Sequence, residues 1–287
     1  MRFQIRHSLT YRYGRPVFLE PMTVRLSPRR DVSQRLISHQ LSVLAPASGA
    51  CEVVEADGND AWVLWFDDQR DQLELAVAME VETLRHNPFD WILTDACQQR
   101  LPVQYKEAEQ LSLGPCLAAA HAPIAAVVSD WASQLAREVE GDTLAFLMQL
   151  ADTIHRDFHH IGRLEGEPMT AAETLESRQG ACRDTAMLYV EACRSQGLAA
   201  RFVSGYSMHH PPEVTEHELH AWAEVYLSGG GWRGYDPSLG LAVADGHLVL
   251  AAAPDHRLAA AVSGSYRGTG VSSSLGYAID LQVRKRT

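Results

Sequence analysis

The stretch Gln179–Gly197, QGACRDTAMLYVEACRSQG, decides how this chain is read. Gly180 marks a turn, Asp184 sits where a first helical turn favours an acid, and TAMLYVEACRSQ keeps helical spacing until Gly197 stops it. Cys182 therefore falls at or beside the start of a helix. A thiol there feels the positive end of the helix dipole, which favours its thiolate form and a nucleophilic role. Taken alone, the same cysteine reads as readily as a small buried residue, as unpaired cysteines commonly are.

Downstream of Gly197 the pattern changes to strands: ARFVSGYSM, LHAWAEVYL, GWRGYDP and, further on, SSLGYAIDLQV. Strand alternation puts His220, Trp222, Glu224 and Tyr226 on one face and Leu219, Ala221, Ala223 and Val225 on the other. In the next strand Trp232, Gly234 and Asp236 share a face. The link SGGG is short and rich in glycine, so the two strands form an antiparallel hairpin. His220 and Asp236 can then lie side by side, the carboxylate accepting one imidazole proton while the other ring nitrogen points toward a thiol. A nucleophile at a helix start, a base on one strand and an orienting acid on the next make a Cys182-His220-Asp236 set suited to acyl transfer.

Upstream, IAAVVSDWASQLAREVEG and DTLAFLMQLADTIHRDFHHI show helical periodicity, with Asp142 or Thr143 able to cap the second helix. His155, His159 and His160 are expected to cover one end of it. The first part of the chain reads as strands joined by turns. In QLELAVAMEVETL the residues Leu73, Leu75, Val77, Met79 and Val81 share one parity, and DGND supports a hairpin. Between these regions three prolines (Pro102, Pro115, Pro123) and weak periodicity suggest a crossing segment. The expected organisation is an N-terminal antiparallel β domain over residues 1–95, a connector over 96–122 and an α+β core over 123–287 with helices packed on an antiparallel sheet.

Composition excludes some functions. The 287 residues include 36 acidic against 25 basic side chains, a formal charge of -11, which disfavours nucleic acid and anionic lipid as partners. The longest apolar stretch, near Leu117–Val128, is broken by His121 and Pro123 and is shorter than the ~20 residues that span a bilayer. The N-terminal MRFQIRHSLTYRYGRPV alternates polar and apolar residues and lacks the apolar run of an export signal. Five scattered cysteines without metal or disulfide spacing suit a reducing cytoplasm. Cys193 would lie about 16 Å along the helix from Cys182 at 1.5 Å per residue, out of disulfide reach.

GACRD with its helix, then ARFVSGY, HAWAEVYL and GWRGYDP, together with DTIHRDFHH and TAAETLESRQGACRD upstream, resemble the transglutaminase-like superfamily in order and spacing. HSLTYRYGRPV and VRLSPR resemble the β-rich region that precedes this core in bacterial members. The resemblance implies a papain-like fold with Cys182 as nucleophile, His220 as general base and then acid, and Asp236 orienting the imidazole. It implies a thioester formed from a peptide or glutamine side-chain amide and resolved by water, as in a protease or amidase, or by an amine acceptor. A non-catalytic binding or assembly module is the alternative of a different class. Cys182 N–H is one natural oxyanion donor. Animal transglutaminases use a tryptophan upstream of the cysteine; none lies between Trp131 and Trp222 here, and Gln179 and Trp222 are the candidate substitutes.

A metal site formed by His209, His210, His217 and His220 is the sharpest rival, but HELH is not the HExxH of a zinc protease, and strand parity sends His217 and His220 to opposite faces. No metal or cofactor is expected. Calcium, used by animal relatives, has no recognisable loop.

Overall fold

The computed structural model describes residues 1–119, 123–162, 166–209 and 217–284. His210, residues 163–165 of the polar turn before the cysteine motif, and the end of the basic C-terminal tail lie outside the described residues. Six strands come first: β1 (Arg2–Leu19), β2 (Met22–Val24), β3 (Gln34–Leu44), β4 (Gly49–Val54), β5 (Asp60–Trp65) and β6 (Gln69–Thr83). Helices α1 (Glu107–Leu117), α2 (Ala126–Glu138) and α3 (Thr143–Asp157) follow. Next come the short β7 (His159–His160), α4 (Ala171–Ser177), β8 (Gln179–Gly180) and α5 (Cys182–Ser195). The chain then runs through β9 (Ala200–Ser207), β10 (His220–Leu227), β11 (Gly231–Asp236), β12 (Leu241–Ala242) and β13 (His247–Ala253). It returns through β14 (Val262–Ser263), β15 (Tyr266–Arg267) and β16 (Ser273–Arg284).

The core sheet has the order β12-β11-β10-β9-β13, with every pairing antiparallel. Helix α5 packs across β10 and β9. Its Leu188, Tyr189 and Ala192 meet Phe146 and Leu150 of α3 and Ala223 and Val225 of β10 in one fully buried cluster. Asp142 caps α3, its carboxylate accepting the Ala145 N–H at 2.8 Å, so the polar residue before the periodic run stops the helix from fraying.

The N-terminal strands form two antiparallel sheets whose alternation matches the sequence pattern. Leu73, Leu75, Val77, Met79 and Val81 of β6 are all buried. They share a core with Phe3, Ile5 and Leu9 of β1 and, from the core sheet, with Tyr206 of β9 and Leu248 and Leu250 of β13. The β layer thus packs against the β9–β13 side of the core sheet. It also blocks that sheet's edge: the Gln34 amide donates to Val249 C=O at 2.7 Å and accepts its N–H at 2.9 Å, and Asn59 Oδ1 accepts the Ala252 N–H at 2.9 Å. Two buried amides thereby satisfy backbone groups where β13 bulges between Val249 and Ala251.

Two stretches differ from the sequence expectation. Residues 262–284 do not add to the core sheet. β14 pairs with β2, β15 with the end of β1, and β16 with β1 from Arg2↔Arg284 to Tyr13↔Ser273. The alternation of SSLGYAIDLQV revealed a strand but not its partner, because pairing register is a long-range property. The 96–122 stretch, read as a connector, contains α1, which buries Leu113 and Cys116 in the helical core. Its few apolar residues do not fall on one stripe, so periodicity could not reveal it.

Candidate active site

The residues around Cys182 are shaped to hold a turn. A Cβ on Gly180 would lie 2.9 Å from Asp184 Cβ, so only glycine leaves room for that side chain. Asp184, wholly buried, accepts the Ala181 N–H and the Met169 N–H, each at 2.8 Å. It ties the helix entry to the preceding loop and makes Cys182 the first residue of α5, half-buried at the dipole's positive end.

His220 opens β10 opposite Gly205 of β9. A Cβ at Gly205 would stand 2.0 Å from Leu248 C=O and 2.7 Å from the Trp222 ring, so this glycine admits the indole beneath the site. The hairpin register pairs Ala223 with Tyr235, which brings Asp236 to the Trp222 level and diagonal to His220. His220 Nε2–H donates to Asp236 Oδ2 at 2.6 Å, and the Cys182 thiol acts on the same ring, favouring its charged form. Asp236 Oδ1 accepts the N–H groups of Ser238 and Leu239 at 2.9 and 3.2 Å. His155 Nδ1–H of α3 braces the same loop by donating to Ser238 C=O at 2.8 Å. The structure thus brings together all three residues that the sequence paired by order and parity.

A fourth residue joins them. His247, at the head of β13, donates from Nε2 to the same Asp236 oxygen at 2.9 Å. Both rings and the carboxylate are buried. Burial opposes charge on all three, yet the outcomes differ. For His220 the Asp236 charge and the hydrogen bonds to Asp236 and Cys182 outweigh desolvation and push it up to about 10. Asp236, despite its burial, is held well below the usual carboxylate range by the His220 charge and by both imidazole donors. On His247 desolvation wins and lowers the imidazole, so this ring is a neutral donor at pH 7. One carboxylate therefore carries one charged and one uncharged imidazole. Sequence reading missed His247 because β13 reaches the site across β9, and the only local sign was a histidine after a glycine turn, ADGH, at the head of an apolar strand.

His220, Asp236 and His247 each offer a ligand atom within 4.8 Å of the others, the spacing a metal ion could use. In this structure that spacing is spent on two hydrogen bonds to one oxygen. A cation would have to displace both protons. Among the described residues, His209 and His217 do not join this group.

The candidate oxyanion donors lie differently. Gln179 is exposed on β8, paired with His159. Trp222 is fully buried, stacked on the His220 ring at 6.1 Å between centroids, and its indole N–H has no hydrogen-bond partner. A donor to a substrate oxygen needs an exposed N–H, so Trp222 acts here as a rigid support behind the imidazole. Cys182 borders a cavity of about 200 Å³. Larger hollows of about 360 and 550 Å³ lie against the N-terminal sheet, and neither is lined by Cys182, His220 or Asp236.

Residues 130–237 match the family model of the transglutaminase-like superfamily, and residues 3–82 match that of the bacterial transglutaminase-like N-terminal region. The chain is 25% identical over 281 residues to an uncharacterized protein of Mycobacterium leprae, covering 94% of this chain and 95% of that protein. It is 24% identical over 271 residues to an uncharacterized protein of Mycobacterium bovis, covering 89% and 84%. Its fold is similar to that of a Cytophaga hutchinsonii protein described as a "Putative Cysteine Protease", with a TM-score of 0.73, 20% identity, and 100% of this chain and 92% of that one covered. The chain belongs to the transglutaminase-like superfamily, with a bacterial transglutaminase-like N-terminal region ahead of its core.

Proposed function

We propose that this protein is a cysteine-dependent amide hydrolase, a protease or amidase, that works through a thioester on Cys182. The observation that carries the reading is the position of His220, hydrogen-bonded to Asp236 and electrostatically coupled to Cys182, which opens helix α5. In the proposed reaction the thiolate attacks the amide carbonyl carbon and the C–S bond forms. His220 then gives its proton to the leaving nitrogen as the C–N bond breaks. Water next attacks the thioester, His220 takes its proton, and the C–S bond breaks to free the acid and the thiol. Asp236 keeps the ring oriented through both steps, and the Cys182 N–H, at the open end of α5, supplies one donor to the oxyanion. The substrate class is a peptide or protein amide.

The five cysteines are all unpaired, and among the described residues no helix is long and apolar enough to cross a membrane. We place the protein in a reducing cytoplasm on the first of these observations.

The test compares wild type with Cys182→Ala and His220→Ala for acyl-enzyme formation on activated esters, read by intact mass. Both variants should lose at least about 10³-fold in rate. Acylation that survives Cys182→Ala sinks the assignment, and an inert wild-type thiol marks a binding module. Running the reaction with and without a primary amine separates hydrolysis from transfer: a mass gain equal to the amine would move the reading to a transglutaminase.

A further inference from the structure

The cavity beside Cys182 is bounded by both parts of the chain. One wall is the inner face of the N-terminal sheet. The register His7↔Ile279, Leu9↔Tyr277 and Tyr11↔Leu275 puts alternate residues of β1 and β16 on the same face. Of these, His7, Leu9, Leu275, Tyr277 and Ile279 line the cavity. The opposite wall is the helix entry with Cys182, together with Leu219 just before β10. A chamber with a largely apolar sheet wall thus borders Cys182, and five of its thirteen lining residues come from β1 and β16.

We infer that this chamber is the acyl-side specificity subsite, and that it takes an uncharged apolar side chain of leucine to phenylalanine size from a peptide substrate. The inference rests on the thioester reading above. Three observations set the chemistry. The volume is about 200 Å³, somewhat above the roughly 150 Å³ of an apolar cavity that holds benzene. The ionisable side chains that line it on the core side are His160, Arg183 and Glu218, of which Arg183 and Glu218 offset each other in sign. On the sheet side, His7 is buried, shares a hydrogen bond with the Tyr206 hydroxyl at 2.8 Å through Nδ1, and is lowered by that burial to about 4, so it is uncharged at neutral pH. The acyl group is the part of a substrate that stays bonded to sulfur, so a chamber sharing its boundary with Cys182 is placed to receive the side chain next to the reacting carbonyl. Leu275 at 46% exposed leaves an apolar wall residue open to solvent, which an incoming side chain would cover.

The test uses a panel of N-acetyl aminoacyl p-nitrophenyl esters with phenylalanine, leucine, alanine, aspartate and lysine acyl groups, read as kcat/KM. Wild type should favour the phenylalanine and leucine esters over the aspartate and lysine esters by at least about tenfold. Tyr277→Ala and Leu275→Glu should each erode that preference, and Leu275→Glu should raise the lysine ester relative to the leucine ester. Ser274→Glu, exposed and of the opposite parity on β16, should leave the preference as in wild type. Iodoacetamide, small enough to need no subsite, reports the thiol separately. Alkylation of Cys182 that depends on His220, together with equal rates on all five esters or a preference for charged ones, overturns the subsite and leaves the proposed chemistry standing. Failure of every ester to acylate Cys182 overturns both.

Discussion

Replacing Asp236 with asparagine tests the electrostatics of the site at its centre. In wild type the Asp236 charge is what keeps His220 protonated, up to about 10, in a place where burial alone would lower it. His7 shows what burial does to an imidazole without an acid beside it, since it is lowered to about 4. The gap between those two rings corresponds to on the order of 8 kcal/mol of imidazolium stabilisation at 1.36 kcal/mol per tenfold step. Asparagine removes the charge and adds a second defect. Its carbonyl can replace Asp236 Oδ1 as acceptor for the Ser238 and Leu239 N–H groups, but its NH2 then faces two imidazole Nε2 atoms that were donors. Both rings must shift their proton to Nδ1, and His220 would present an N–H to the thiol where it needs a lone pair. The assay is alkylation of Cys182 by iodoacetamide from pH 5.5 to 9, followed by intact mass, with circular dichroism to confirm folding. Wild type should react faster than the variant throughout the neutral range. The variant should be slower by about 10²-fold or more at pH 6.5, climbing about tenfold per pH unit like an unassisted thiol, and about 10⁴-fold slower in acyl transfer. A folded Asp236→Asn protein that reacts at the wild-type rate at pH 6.5 would refute the account of how the thiol is activated.

His247→Leu removes a buried donor from Asp236 and should cost about 1.5–3 kcal/mol of stability with a fall in kcat. His247→Gln, which can still donate, should recover part of both, and equal losses in the two variants would show that the hydrogen bond is not what matters. Acid should destabilise the fold through the buried His7 imidazole. His7 sits at about 4 when folded and near 6.5 when unfolded, so the unfolded chain binds the extra proton between those values, and about 3 kcal/mol is lost as pH falls from 6.5 to 4. The gap between denaturant midpoints at pH 7 and 4.5 should narrow in His7→Gln, and an unchanged gap would discount His7. His220, shifted the other way, stabilises fully below pH 6.5 and loses that contribution as pH rises toward 10. Asp184→Ala strips the Ala181 and Met169 N–H groups of their acceptor and should lower stability by about 1–3 kcal/mol. It should also slow Cys182 alkylation, and a stability cost without a reactivity cost would separate the cap from the thiol's placement.

Cys182, His220 and Asp236 were legible because each depends on local rules: a helix entry, strand parity, and a hairpin short enough to fix its own register. Trp222 was legible as a neighbour of His220 but not in its role, because its depth depends on Gly205 making room from another strand. His247 and the sheet wall of the cavity were not legible, since both arise from strand order. β13 lies beyond β9, and β16 pairs with β1 across almost the whole chain. Helix α1 was hidden by its mixed composition, and only the core it packs against shows why it is helical.

The pairing of β1 with β16 also bears on when the protein becomes competent. During synthesis the first strand leaves the ribosome some 270 residues before its partner, long after the thiol-bearing helix could have docked on its sheet. A nascent or truncated chain lacking β16 would present sulfur, imidazole and carboxylate with one side of the chamber missing. Selectivity would then be acquired later than the meeting of sulfur, imidazole and carboxylate.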